Sequence, residues 1–180
     1  MKTFVTAVAL AGAVALSATA AFAHGPTRQK VTETIEINAP AEKVWAVVGN
    51  FQDGGWIPVV EKTTGTDGNT PGKAARTLTL KGGATVEETL DKYDAAAMQL
   101  HYRIAKVDVK VLPVNDYSSR ITVTSLGADK SKVEWWGAFY RGYMNNDPPP
   151  ELNDEASKAA VVGLYKAGLE NLKKKIEGTN

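Results

Sequence analysis

The chain has 180 residues, 43% hydrophobic and 23% charged, with a formal net charge of +1, two histidines and no cysteine. A chain of that length buries a single-domain core without staples, and the missing cysteines exclude disulfides, thiol chemistry and cysteine metal sites. Near-neutrality excludes the electrostatic footprint of a nucleic-acid binder.

The chain opens with a leader. Lys2 gives a minimal positive start, residues 4–20 are apolar and uncharged, and Ala21-Phe22-Ala23 has the small-x-small form of a secretory cleavage site. Cleavage before His24 is expected, leaving 24–180 as one exported domain. Its net charge would be 0, because Lys2 is the only charge removed. The alternative is an uncleaved anchor, since the apolar run approaches spanning length; once cleaved, the protein needs no membrane.

Val31-Thr32-Glu33-Thr34-Ile35-Glu36-Ile37 alternates apolar and polar residues, the mark of a half-buried strand. Asn38-Ala39-Pro40 turns the chain into a short helix over 41–48, with Val44, Trp45 and Val48 on one face. Glycines break it, and Trp56-Ile57-Pro58-Val59-Val60 gives a second short helical piece leading into strand. Turn signals at 67–72, 81–83 and 127–130 then separate strands over 75–80, 85–93, 98–105, 117–125 and 132–141. Met98, Leu100, Tyr102 and Ile104 share one face, opposite Gln99, His101 and Arg103. Short strands joined by tight turns predict an antiparallel sheet.

The last element is a helix over 149–176. Val161, Tyr165, Leu169, Leu172 and Ile176 recur at three- and four-residue steps, a stripe that must be buried. Ala159, Ala160, Gly163, Ala167 and Gly168 keep this helix thin, and Lys173-Lys174-Lys175 suits the negative end of its dipole. The order predicts an α+β fold: a curved antiparallel sheet around a long C-terminal helix, with two short helices after the first strand and a cavity between sheet and helix.

That order, with Ile35-Glu36-Ile37-Asn38-Ala39-Pro40-Ala41-Glu42-Lys43-Val44-Trp45 at its start, resembles the START-like, polyketide-cyclase-like superfamily of helix-grip proteins. Leu112-Pro113-Val114-Asn115-Asp116-Tyr117-Ser118-Ser119, the stretch from Gly137 through Arg141-Gly142-Tyr143 to Glu155, and Tyr165-Lys166-Ala167-Gly168-Leu169-Glu170-Asn171-Leu172 are similar to the MxaD family. The resemblance spans the chain after the leader. It implies a periplasmic, non-enzymatic accessory protein of methanol oxidation that helps methanol dehydrogenase and its cytochrome c electron acceptor to interact. No catalytic residues and no cofactor come with it. A Trp-x-Pro element common among helix-grip relatives is present as Trp56-Ile57-Pro58, here preceded by two glycines.

Two candidate sites follow from the residues. Trp45, Trp56, Tyr102, Trp135, Phe139 and Tyr165 either line a pocket for a small apolar ligand or fill the core. Alternation along 132–141 sends Trp135 and Trp136 to opposite faces, so one of them points away from the cavity. With Trp136 outside, Trp136, Tyr140, Arg141 and Tyr143, followed by Asn145, Asn146, Pro148, Pro149 and Pro150, form a candidate partner surface. The prolines either stiffen a docking loop or simply end the strand and start the helix. His24 and His101 give no convergent metal site. Glu87 and Glu88, being adjacent in a strand, cannot form an acid–base dyad. Both are expected as solvated sheet positions; the alternative is that Glu88, which shares a face with Val86 and Leu90, projects inward, where Arg76 can pair with it. Besides the accessory role, a carrier or sensor of a small apolar ligand and a cyclase-like enzyme remain open; the last would need two or more buried titratable groups facing one void.

Overall fold

A computed structural model describes residues 25–178; the leader and its cleavage site before His24 lie outside the described residues. The elements are β1 (Gln29–Ile37), α1 (Ala41–Val48), β2 (Val60–Thr66), β3 (Ala75–Leu80), β4 (Thr85–Asp94), β5 (Gln99–Val107), β6 (Val114–Gly127), β7 (Lys130–Arg141) and α2 (Asp154–Glu177). All seven strands form one antiparallel sheet in the order β1-β7-β6-β5-β4-β3-β2. This is the helix-grip arrangement: the sheet curves around α2, whose stripe packs over β1 and β7.

The stripe is buried as its spacing requires: Val161, Tyr165, Leu169, Leu172 and Ile176 are each at most 8% exposed. Both ends of α2 are capped. Asn153 Oδ1 accepts from the Ala156 N–H at 2.8 Å, with Asp154 and Glu155 in the first turn. At the other end Gly178 adopts φ 74°, and its N–H bonds Lys174 O at 3.0 Å.

Two boundaries differ from the sequence reading. Only one helix, α1, lies between β1 and β2. The stretch around Trp56 is a chain of tight turns, with Asp53 N–H bonding Asn50 O, Ile57 N–H bonding Gly54 O and Val60 N–H bonding Ile57 O. Gly54 and Gly55 weaken any helix there, and Pro58 lacks the donor to continue one. The final helix begins at Asp154, not at 149. Pro150–Leu152 makes one 3-10 turn, and extended Asn153 (ψ −179°) separates it from α2.

Candidate functional site

The concave face of the sheet is written by alternation. From β3 come Arg76, Leu78 and Leu80, from β4 Val86, Glu88 and Leu90, and from β5 Leu100, Tyr102 and Ile104; in register, Arg76 sits across from Glu88 and Leu78 from Val86. Tyr117 and Ser119 of β6 and Trp135, Gly137 and Phe139 of β7 complete it. Between this face and one side of α2 lies a cavity of about 420 Å³. Its walls are aliphatic: Leu78, Leu80, Val86 and Ile104 from the sheet, and Ala160, Gly163, Leu164 and Ala167 from the helix. Val59 and Val111, 43% and 39% exposed, stand at its mouth.

Small residues on α2 create the space. A Cβ at Gly163 would meet nothing within 4 Å. On its adjoining face, α2 packs against the core. Trp135 stacks on Tyr165 with ring centroids 4.2 Å apart and 10° between planes, and it meets Trp56 at 4.9 Å. Gly168 admits both indoles, since a Cβ there would lie 2.8 Å from Trp135 Cζ3 and 3.2 Å from Trp56 Cζ3.

The deep end of the cavity is polar. Glu88, Tyr102, Tyr117 and Trp135 all line it. Arg76 Nε donates to Glu88 Oε2 at 2.6 Å and Nη1 to Phe51 O at 2.9 Å, while the guanidinium lies 4.4 Å from the Phe51 ring centroid. Arg76 and Glu88 are only 5% exposed. Burial pushes the Glu88 carboxyl above the usual carboxylate range, and the Arg76 charge and hydrogen bond pull it part of the way back. Beside this pair, Trp135 Nε1 donates to Tyr102 Oη (3.0 Å) and Ser119 Oγ (2.9 Å), and the Tyr117 and Tyr165 hydroxyls meet at 2.5 Å. Burial, the largest cause for each, holds the phenols of Tyr102, Tyr117 and Tyr165 well above the ordinary range, so all three stay neutral and able to donate.

Of the six rings predicted as cavity lining, the structure puts Tyr102 and Trp135 there. Trp56, Phe139 and Tyr165 are at most 2% exposed and belong to the solid core beside the cavity. Trp45 is off the cavity altogether: it sits half-buried on α1 and packs on Tyr93, with centroids 5.5 Å apart. The rings fill volume, and the void opens where α2 carries alanine and glycine. Sequence reasoning missed Tyr117 and the aliphatic walls. Inward alternation with Tyr102 and Glu88 was the available signal for Leu78, Leu80, Val86 and Ile104.

Trp135 faces the cavity and Trp136 the outer surface of β7. Trp136 lies under the Arg120 guanidinium at 5.6 Å, with Arg120 bound to Glu134 at 2.6 Å, and Tyr140 lies under that of Arg28 at 5.3 Å. Asn145, Asn146 and Pro150 are exposed; Tyr143, Pro148 and Pro149 are half-buried. Arg141 must be removed from the proposed surface. It is 6% exposed and spends its donors inward, on Tyr143 O (2.8 Å), Asn145 O (2.9 Å) and Asp154 Oδ2 (3.3 Å), tying the loop to the start of α2. Alternation already carried that signal, since Arg141 shares the inner face with Val133, Trp135 and Phe139.

His101 is half-buried on β5 and its Nε2 meets Gln99 Oε1 at 2.8 Å; burial first, then Arg120 and Lys92, lower its pKa. It does not line the cavity. Among the described residues no group of three His, Cys, Asp or Glu side chains converges on a metal position, and no helix is long and apolar enough to cross a membrane.

Comparisons with known proteins agree with this architecture. Residues 28–177 match the family described as polyketide cyclase / dehydrase and lipid transport. An uncharacterized protein from Bacillus thuringiensis is 27% identical, with a TM-score of 0.69 over 83% of this chain and 99% of its own. The XoxI protein from Bacillus cereus is also 27% identical, with a TM-score of 0.69 over 82% of this chain and 95% of its own. The ZhuI aromatase/cyclase from a Streptomyces species shares the fold at 17% identity, TM-score 0.63, over 84% of this chain and 94% of its own. No curated protein matches.

Proposed function

The chain belongs to the polyketide cyclase/dehydrase and lipid transport family, and from that premise we propose that it binds a small apolar molecule in the cavity under α2 and releases it unchanged. The observation that carries this reading is the cavity itself: about 420 Å³, walled by aliphatic side chains and open at Val59 and Val111. Pockets that hold small molecules span roughly 300–1,000 Å³ and are mostly apolar with a few placed polar groups. Although Glu88, Tyr102 and Tyr117 face one void, Glu88 is bound to Arg76 and the phenols are held neutral, which supports binding over turnover. Nile red, whose emission rises in apolar surroundings, tests the reading. It should bind the native protein and lose affinity in Gly163→Leu, which fills space that is open in the native fold. Equal binding by a folded Gly163→Leu would defeat it.

A second reading follows from the resemblance to the MxaD family: a periplasmic accessory of methanol oxidation that docks methanol dehydrogenase or its cytochrome c. Two rings on the outer face of β7, Trp136 and Tyr140, support it, together with the loop that Arg141 ties beside them. Titration calorimetry of Trp136→Ala/Tyr140→Ala against both partners is the test. Unchanged affinity with an intact circular dichroism spectrum would sink the surface. Export is checked separately by the mass of the periplasmic form, which should begin at His24.

A further inference from the structure

We infer that the mouth of the cavity is a docking surface for an anionic lipid bilayer, on which the protein sits mouth-down. Docking uses the rim and not the void, so it goes beyond the ligand-binding reading. Four large hydrophobic side chains are exposed among the described residues, and two of them, Val59 and Val111, stand at this mouth. Around them Pro58, Val60, Leu112 and Leu164 are half-buried, so the rim is an apolar collar continuous with the aliphatic walls. Such a collar gains from losing its water only where another apolar phase covers it. No bulky side chain stands in the way at the β3–β4 turn: a Cβ at Gly82 or Gly83 would meet nothing within 4 Å.

Charge says which apolar phase. The four segments that frame the mouth, 57–62, 80–85, 106–112 and 160–167, carry Lys62, Lys81, Lys106, Lys110 and Lys166 against Glu61 and Asp108. The formal charges of residues 24–180 balance, so this excess is local. All five lysines are exposed, and among the described residues only Lys106 has an ion-pair partner, Glu87 at 3.6 Å. Asp108 turns back on its own loop, where its Oδ1 accepts from the Lys110 N–H at 2.9 Å. Lys81 is itself a wall residue, and its N–H bonds Val59 O at 2.9 Å, which holds its stem beside an exposed valine. Lys110 directly precedes Val111. Lysine stems lie along apolar surface while their heads reach outward, here to lipid phosphates. An apolar collar among lysines is the pattern of a surface that lies on a bilayer, and each lysine near an anionic leaflet strengthens binding roughly fivefold. The contact is peripheral, since no helix among the described residues is long and apolar enough to cross a membrane.

The test is flotation of the protein with vesicles of phosphatidylglycerol and, separately, of phosphatidylcholine. The protein begins at His24, so that the apolar leader takes no part; the core cluster runs from Val31 to Ile176, so this form folds without it. Phosphatidylglycerol should bind it tighter by about tenfold or more, and added salt should remove the difference. Lys81→Glu/Lys110→Glu should weaken that binding by about tenfold or more. Val59→Ser/Val111→Ser, which leaves the charge unchanged, should weaken it by about tenfold or more as well. Both double variants should keep the native circular dichroism spectrum, because all four side chains are exposed. Leu126 is exposed at the opposite end of β6 from the mouth, so Leu126→Ser should change nothing. Equal binding to the two vesicles, or a loss in Leu126→Ser as large as in the rim variants, would overturn the docking. Binding to neither vesicle would overturn it too and leave the collar to a protein partner. Gly163→Leu separates the two readings: it should lose Nile red and keep its vesicle affinity. If it keeps Nile red while the rim variants still lose the vesicles, the ligand reading falls and the docking stands.

Discussion

Helix α2 meets the sheet with two different halves of its circumference. One half presses Val161, Tyr165, Leu169, Leu172 and Ile176 into a core that also holds Trp56 and Trp135, and little of any of these is exposed. The other half sets Ala160, Gly163, Leu164 and Ala167 beside about 420 Å³ of space. Trp135 stands at the boundary, stacked on Tyr165 and tilted against Trp56 on one side and bordering the cavity on the other. The same helix and sheet thus give a solid region and a hollow one, with large side chains on the face that packs and mostly small ones on the face beside the cavity. Stability resides in the first region and the capacity to bind in the second.

The largest break in that contrast is Leu169→Ala. Leu169 is 2% exposed within the solid half, so deleting it removes apolar burial and leaves a void in tight surroundings. Chemical denaturation should show a loss of about 2–5 kcal/mol. A loss within the error of the curve would mean that the helix is not seated on this face.

Two glycines of α2 sharpen the comparison, because the same substitution should act with opposite sign. Alanine improves either position as helix by about 1 kcal/mol. At Gly168 the new methyl would lie 2.8 Å from Trp135 Cζ3, and overpacking of this kind costs about 1–3 kcal/mol. Gly168→Ala should therefore lower the denaturation midpoint. At Gly163 a Cβ meets nothing within 4 Å, so Gly163→Ala should raise it by the propensity gain alone, about 1 kcal/mol. Shifts of the same sign in both variants would show that the two halves of the helix are equally packed.

The solid half was the legible one. Its stripe recurs at helical spacing, and only a buried face explains that recurrence. Glu88 was the exception: a solvated position was expected, whereas the structure buries it against Arg76 at 2.6 Å, on the face that alternation gives it with Val86 and Leu90. Alternation did not say which face of β7 is concave, because a period of two defines two faces without ranking them. Trp135 and Trp136 were separated only by the position of α2. The cavity was harder to read for a different reason. Large rings attract attention as lining, yet Trp56, Phe139 and Tyr165 fill space while the void is bounded by residues too small to fill it. An absence of side-chain volume becomes a cavity only when the opposite wall is known.

The smallest effect is the pH dependence, in which one carboxylate from each region should tilt the stability curve in opposite directions. Glu177, at the end of the solid half, accepts from Asn38 N–H at 2.7 Å and from Lys173 Nζ at 2.6 Å, and these bonds, the backbone one first, lower its pKa. Its unfolded form binds the proton more tightly, so its contribution is present above the unfolded value, about 4.3, and is lost as pH falls through the lower folded one. Glu88, in the hollow half, has its pKa raised by burial. Its folded form binds the proton more tightly, so its contribution is present below about 4.3 and is lost as pH rises through the higher folded value. Urea denaturation between pH 3 and pH 7, windows that bracket the ordinary carboxylate range, should therefore show two opposite changes. Glu177→Gln should remove part of the rise in stability with pH at the acid end. Glu88→Gln should remove a fall that sets in above it, where the carboxyl must ionise in a nearly dry site. The Glu177 change should be small, because a half-buried ion pair at the surface is still screened by solvent and salt. Should Glu88→Gln instead flatten a rise with pH, Arg76 would outweigh burial, and the deep end of the cavity would carry a firmly ionised carboxylate.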